Sequence, residues 1–196
     1  MIVLGVTGSI GMGKTTVCRL LSLNYKIKVW NADKEVRLLT QTNKLLQDNI
    51  KKAFPEAVSF GKINRTQLRK IATSDISRLK ELEEIIHPSL YKNMMSFLAK
   101  MERLRQPICC VDVPLLFEVG WDRFCDVTVL VEAPPFIQDQ RLFRRKVFTR
   151  SELAMMLQRQ WPNDVKHQRA DFVIKTGASK SETSKQLKKI MMFLAK

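Results

Sequence analysis

Histidine is almost missing from the 196-residue chain. Only His87 and His167 occur, too few for a histidine-rich metal site and a poor basis for a Ser-His-Asp triad. Cysteine is sparse as well. Cys18, Cys109, Cys110 and Cys125 show no C-x-x-C spacing, and two of them are adjacent inside an apolar run. That argues against a zinc site or a disulfide framework and for buried, reduced thiols. Aromatic residues make up 8% of the chain, and no RNA-binding or helix-turn-helix signature accompanies them. No apolar run approaches the roughly 18 to 20 residues that span a bilayer. Residues 1–6 lack the basic flank of a signal peptide and read as a strand. The expectation is a cytoplasmic protein that engages no membrane. With no internal repeat, low-complexity tract or Gly/Ser linker, residues 1–196 read as one domain.

What is present is an ordinary globular balance with a basic surplus. Apolar residues make up 45% and charged residues 27%, enough to bury a core. Lys and Arg number 34 against 19 Asp and Glu, for a net charge of +15. Such a surplus suits nucleic acid, an anionic membrane surface or a polyanionic small substrate. Its placement narrows the choice. Residues 141–169 carry eight Lys or Arg against two acids, as expected of an element that handles phosphates. Residues 175–196 carry six lysines, which reads as a solvated helix face.

The periodicity alternates strand and helix. Strands are expected at 2–7, 28–32, 108–112, 127–131 and 172–174. A helix follows at 14–23, and residues 33–105 read as mostly helical, with Leu79, Leu82, Ile85 and Ile86 at helical spacing. Thr149 with Glu152 reads as a capping box. Ser179 and Glu182 open a last helix whose Leu187, Ile190, Met191 and Leu194 share one face. The order implies an α/β fold with a five-stranded parallel sheet covered by helices on both faces. Ligands in such folds bind at the carboxyl ends of the strands.

Glycine is scarce but concentrated: four of the seven lie in the first 13 residues. Gly8-Ser9-Ile10-Gly11-Met12-Gly13-Lys14-Thr15 matches G-x-x-x-x-G-K-[ST], between an expected strand and an expected helix. That is the context that separates a phosphate-binding P-loop from a chance glycine-rich turn. Gly11, Met12 and Gly13 would offer backbone N–H groups, and the helix start would add its positive end. Lys14 would reach the β/γ-phosphates, Thr15 would ligate Mg²⁺, and Thr16 would hold the α-phosphate end. The N-K-x-D sequence of guanine readers is absent, since Asn43-Lys44 is followed by Leu45-Leu46. The chain is short for a motor or helicase core, which leaves a compact ATP-dependent kinase.

Two acids end strands on the same edge. Asp33 follows the second strand and Asp112 the third. A kinase needs one carboxylate near the acceptor hydroxyl and one near the metal. The alternative for Asp33 is a helix N-cap, and for Asp112 a strand-end turn acid.

The residues 6–16, Phe60-Gly61-Lys62-Ile63-Asn64-Arg65-Thr66-Gln67-Leu68, Leu82-Glu83-Glu84-Ile85-Ile86-His87-Pro88 and Asp112-Val113-Pro114-Leu115-Leu116-Phe117-Glu118 resemble the dephospho-coenzyme A kinase family. Gln138, Arg141, Arg145, Gln160 and Ala170-Asp171-Phe172-Val173-Ile174 continue the likeness in order. The resemblance implies ATP- and Mg²⁺-dependent phosphorylation of the ribose 3′-hydroxyl of dephospho-coenzyme A, the last step of coenzyme A synthesis. It implies Asp33 as base, Arg141 and Arg145 as lid arginines, and Arg65 and His87 on the acceptor side. It further implies Asp112 as a water-mediated Mg²⁺ partner, an acceptor-binding insertion at about 34–105 and a basic lid at about 138–168. His87 reads equally as a cap before Pro88, and Arg144 and Lys146 as solvated charges. Two departures stand out. Asn31-Ala32-Asp33 replaces the family's Asp-x-Asp, and Lys175-Thr176-Gly177 is shorter than the family's loop. The rivals are a kinase for nucleoside monophosphates or a shikimate-like alcohol and, from another class, a nucleic-acid-binding protein. No specific nucleic acid is expected as a partner.

Overall fold

Strand β1 (Ile2–Thr7) is buried over all but its first residue, as befits a strand covered on both faces. In the computed structural model, which describes residues 1–145, 153 and 157–195 without the side chain of Arg145, β1 lies at the centre of a five-stranded sheet. It pairs in parallel with β5 (Ile108–Asp112) on one side and β6 (Val127–Glu132) on the other. β2 (Lys28–Asn31) adds outside β5, and β7 (Phe172–Lys175) outside β6. The order is therefore β2-β5-β1-β6-β7, all parallel. Its register sets Asn31 opposite Asp112, and Asp112 opposite Val6, at one carboxyl edge.

Alternation along the strands feeds two cores. Leu4, Val6, Cys110, Val129 and Ile174 face helices α1 (Lys14–Tyr25) and α8 (Lys180–Leu194), where Val17, Leu21, Leu187 and Ile190 meet them. Leu21 and Leu187 are fully buried, each worth roughly 1.5–3 kcal/mol of transfer free energy. Val3, Trp30, Cys109 and Val111 face the opposite way, toward α2 (Ala32–Thr42), α3 (Lys44–Ala53), α4 (Arg65–Ala72) and α5 (Ile76–Arg103). A two-stranded hairpin of β3 (Val58–Ser59) and β4 (Lys62–Ile63) interrupts these helices. Helix α6 (Pro135–Arg145) follows β6, and α7 (Asn163–Arg169) precedes β7.

The expected order of strands and helices holds, with two adjustments. β2 stops at Asn31 rather than 32, because the Asn31 side chain accepts from the Lys34 N–H and starts α2 one residue early. Helix α5 runs straight through His87 and Pro88, so His87 caps nothing. Its ring packs 6.0 Å from that of Trp121. The capping box at Thr149 and Glu152 lies outside the described residues, as does Lys146. All four cysteines are free thiols. Burial pushes Cys109 up to about 11 and Cys125 to about 12, so both stay protonated at neutral pH.

Candidate active site

The loop between β1 and α1 is shaped by glycines that no other residue replaces. Gly13 has φ +100, and a Cβ there would sit 2.8 Å from Thr176 Oγ1. Gly8 has φ +141, and a Cβ there would meet the Val131 carbonyl at 2.2 Å. Successive carbonyls of the loop are held from outside. Lys14 Nζ donates to the Gly8 carbonyl and, at 3.3 Å, to that of Ser9. Gln138 Nε2 donates to Ile10 O at 2.7 Å, Arg141 Nη1 to Gly11 O at 3.2 Å, and Thr176 Oγ1 to Met12 O at 2.5 Å. With these carbonyls engaged, the loop keeps N–H groups for an anion, the Met12 N–H excepted, which donates to the Ser9 carbonyl at 3.2 Å. Met12 serves through its backbone alone. Its side chain is buried, and its sulfur accepts from the Ala133 N–H at 3.1 Å.

Three charges meet at the carboxyl edge beside this loop. Burial holds the Lys14 ammonium below its ordinary range, while Asp112 and then Asp33 oppose that shift. Asp112 is 3% exposed. Burial raises its carboxyl, and Lys14 and the Asn31 amide pull it back. Asn31 Nδ2 donates to Asp112 Oδ2 at 2.5 Å. Asp112 Oδ1 is buried without a hydrogen-bond partner among the described residues. An orphaned carboxylate oxygen in the field of Lys14 fits a hydrated divalent cation better than a turn acid, whose oxygens would be spent on the backbone. Asp33 is exposed in the first turn of α2, and the cap there is Asn31. The reading of Asp33 as an N-cap is thereby removed.

Arg141 lies at the phosphate loop, donating to the Gly11 carbonyl, and it also donates to Thr176 Oγ1 at 2.9 Å and to Thr176 O at 2.6 Å. It braces the loop against the segment after β7. Arg145 ends α6, and its side chain is outside the described set. Thr15 is exposed and Thr16 half-buried at the start of α1. Arg65 opens α4, where burial and the neighbouring charge of Arg37 depress its guanidinium. Arg37 is a residue that the sequence reading missed. It lies one helical turn beyond Asp33 on α2, and that i, i+4 spacing was the available signal. Two arginines within each other's field repel unless an anion lies between them. His87 is half-buried against Trp121, away from these charges.

A cavity of about 510 Å³ opens at the ends of β6 and β7 against Glu132, Pro134, Asn163, Lys175, Gly177 and Gln186. Gln186, also missed, clamps both backbone groups of Lys175, accepting from its N–H at 2.9 Å and donating to its carbonyl at 3.0 Å. The short 175–177 loop is thus fixed by a side chain from α8.

Comparison with known proteins bears on this geometry. The family model described as dephospho-CoA kinase matches residues 2–182. The chain belongs to the dephospho-CoA kinase family. It is 39% identical to the dephospho-CoA kinase of Zymomonas mobilis, over 97% of this chain and 95% of that one. It is 37% identical to that of Nitrobacter winogradskyi, over 100% and 97%. A Thermus thermophilus protein of known crystal structure superposes with a TM-score of 0.83 at 32% identity, covering 98% of this chain and 96% of its own. As in the rest of the family, the fold is an α/β P-loop kinase fold. Among the described residues no helix is long and apolar enough to cross a membrane.

Proposed function

We propose that this chain transfers the γ-phosphate of ATP to the ribose 3′-hydroxyl of dephospho-coenzyme A, giving coenzyme A and ADP. The observation that carries this reading is the meeting of Lys14, Asp33 and Asp112 at one strand edge, within a chain matched to the family along nearly its whole length. The phosphate loop binds the triphosphate through its N–H groups and Lys14, with the 510 Å³ cavity beside it for the base. Asp33 is the base that takes the proton of the acceptor hydroxyl. Arg37 and Arg65 hold the acceptor's phosphates. The loop is braced by Gln138, Arg141 and Thr176, so its donors are in place before the phosphates arrive. Thr15 and Asp112 would hold Mg²⁺, which when bound neutralises charge on the terminal phosphates. In the same reading, residues 34–105 are the acceptor-binding insertion and 138–168 the lid, with Arg145 reaching the phosphates.

The test is ADP release by purified protein with Mg²⁺ and a single added acceptor. Release should depend on dephospho-coenzyme A, with coenzyme A appearing by mass. Turnover on AMP or shikimate and none on dephospho-coenzyme A would overturn the assignment. RNA should bind weakly and lose affinity as salt rises.

A further inference from the structure

Lys166, in α7, is 0% exposed. Its Nζ lies 2.7 Å from Glu118 Oε1, yet it makes no hydrogen bond among the described residues. The contact is an ion pair outside hydrogen-bonding geometry, and that oxygen already accepts the Trp161 N–H at 2.9 Å. An ammonium carries three donors, and the Glu118 contact at 2.7 Å takes up at most one of them, leaving at least two without a partner among the described residues. Glu118 Oε2 and Gln160 Oε1 are likewise buried without partners. Buried polar groups are nearly always satisfied, so unpaired atoms on Gln160, Lys166 and the Glu118 that Lys166 meets call for a ligand.

The stretch borders the phosphate loop. Ser9 Oγ donates to Asn163 Oδ1 at 3.4 Å, which ties the start of α7 to the loop. The charge of Lys166 acts on the Lys14 ammonium and helps to depress it. Two cations within each other's field, one of them wholly shielded from bulk water, repel unless an anion enters between them. A triphosphate entering the loop must also displace the Lys14 head group from the Gly8 and Ser9 carbonyls. The space so vacated borders Ser9, the loop residue bound to α7.

We propose that Lys166 is a second donor-side cation, held by Glu118, whose N–H groups meet the terminal phosphates of the nucleotide alongside Lys14. The proposal rests on the reading of the loop as an ATP site and adds a residue to it. Glu118 keeps the cation charged and in place while the nucleotide is absent, and it leaves the other donors free. The pair carries no net charge, which lets it be buried; losing either member alone would strand the other.

The experiment removes both charges at once, in the Glu118→Gln/Lys166→Met variant, which preserves shape and strands no charge. Three readouts are taken: melting temperature, the rise in melting temperature with Mg²⁺ and tripolyphosphate, and kcat and KM with ATP and dephospho-coenzyme A. The expected result is a melting temperature near wild type, loss of the tripolyphosphate shift, an unchanged KM for the acceptor, and kcat lower by roughly 10²-fold. A folded double variant with wild-type kcat and a wild-type tripolyphosphate shift would reduce the pair to a structural clamp and overturn the proposal. If that variant does not fold, Lys166→Arg decides. It keeps the charge and the pairing with Glu118 but moves the donors. A kcat drop in a protein that melts like wild type supports the contact, and wild-type kcat overturns it. Wild-type protein inert toward dephospho-coenzyme A, yet stabilised by tripolyphosphate through Lys166, would sink the acceptor assignment and leave this one standing.

Discussion

On the donor side, the carbonyls of Gly8, Ser9, Ile10, Gly11 and Met12 all accept hydrogen bonds, from Lys14, Gln138, Arg141 and Thr176. On the acceptor side, Asp33, Arg37 and Arg65 are exposed, and the hairpin between α3 and α4 presents a wholly exposed Phe60 at positive φ. The two sides differ in how much of the binding geometry exists before a ligand arrives. Apart from the Lys14 head group, which must leave the Gly8 and Ser9 carbonyls, the phosphates meet a loop already braced, so little further reorganisation opposes charge stabilisation. The acceptor meets long side chains that must still be ordered, and part of its binding energy goes into that ordering. Substitutions on the donor side should therefore act on kcat, and those on the acceptor side mainly on KM.

The largest effect should come from Lys14→Ala. The ammonium rests on the Gly8 and Ser9 carbonyls and contributes charge rather than packing. Turnover should vanish while the circular dichroism spectrum and melting temperature stay near wild type. A folded variant retaining more than a few per cent of activity would show that Lys14 does not meet the phosphates.

Asp33→Asn should come next and would sharpen the contrast, because the proposed role of Asp33 sets it on the acceptor side yet in the chemistry. With Asn31 as the cap of α2, the substitution should leave stability alone. If Asp33 is the base, kcat should fall by roughly 10²- to 10⁴-fold with ATP binding nearly unchanged by calorimetry. Normal turnover would shift the role to Asp112.

The same contrast explains what the sequence made legible. The phosphate loop is a local motif, with glycines, Lys14 and Thr15 fixed by spacing along ten residues, and it was readable outright. The five strands were readable because buried parallel strands are continuous apolar runs, as in Ile108-Cys109-Cys110-Val111. Asp33 and Asp112 were readable as strand-end acids, but that Asn31 rather than Asp33 caps the helix was not. That depended on Asn31, whose amide bridges α2 and Asp112 across 81 positions of sequence. Gln186 and Lys166 were invisible for the same reason. One clamps a loop eleven residues away, and the other meets Glu118 from a different element. Neither spacing has a period to find. The cap alternative for His87 arose because a proline usually ends a helix, whereas α5 tolerates Pro88 within its 28 residues.

On the acceptor side proper, Arg37→Ala and Arg65→Ala should each raise KM for dephospho-coenzyme A by roughly tenfold and change kcat little. The two should not combine fully. Each guanidinium sits in the field of the other, so removing one relieves repulsion on its partner, and the double variant should lose less than the product of the singles. A drop in kcat without a change in KM would place these residues on the donor side and break the comparison.

The smallest effect concerns Asn31, which stands where the two sides join. Its Oδ1 accepts the Lys34 N–H at 2.9 Å and starts the helix that carries Asp33. Its Nδ2 donates to Asp112 Oδ2 at 2.5 Å. Serine caps helices about as well as asparagine, whereas alanine does not. Serine is too short to carry the amide's second bond to Asp112, so Asn31→Ser and Asn31→Ala separate the two functions. Asn31→Ala should lower unfolding free energy by about 1 kcal/mol relative to Asn31→Ser, measured by urea titration at equal slope. Both variants lose the bond to Asp112 and should share a drop in kcat of roughly fivefold, about 1 kcal/mol of lost orientation. If Asn31→Ser turns over like wild type, the amide does not position Asp112 for catalysis. If the two variants are equally stable, the Asn31 side chain contributes nothing to the start of α2, and the placement of Asp33 must come from the packing of Ala32 alone.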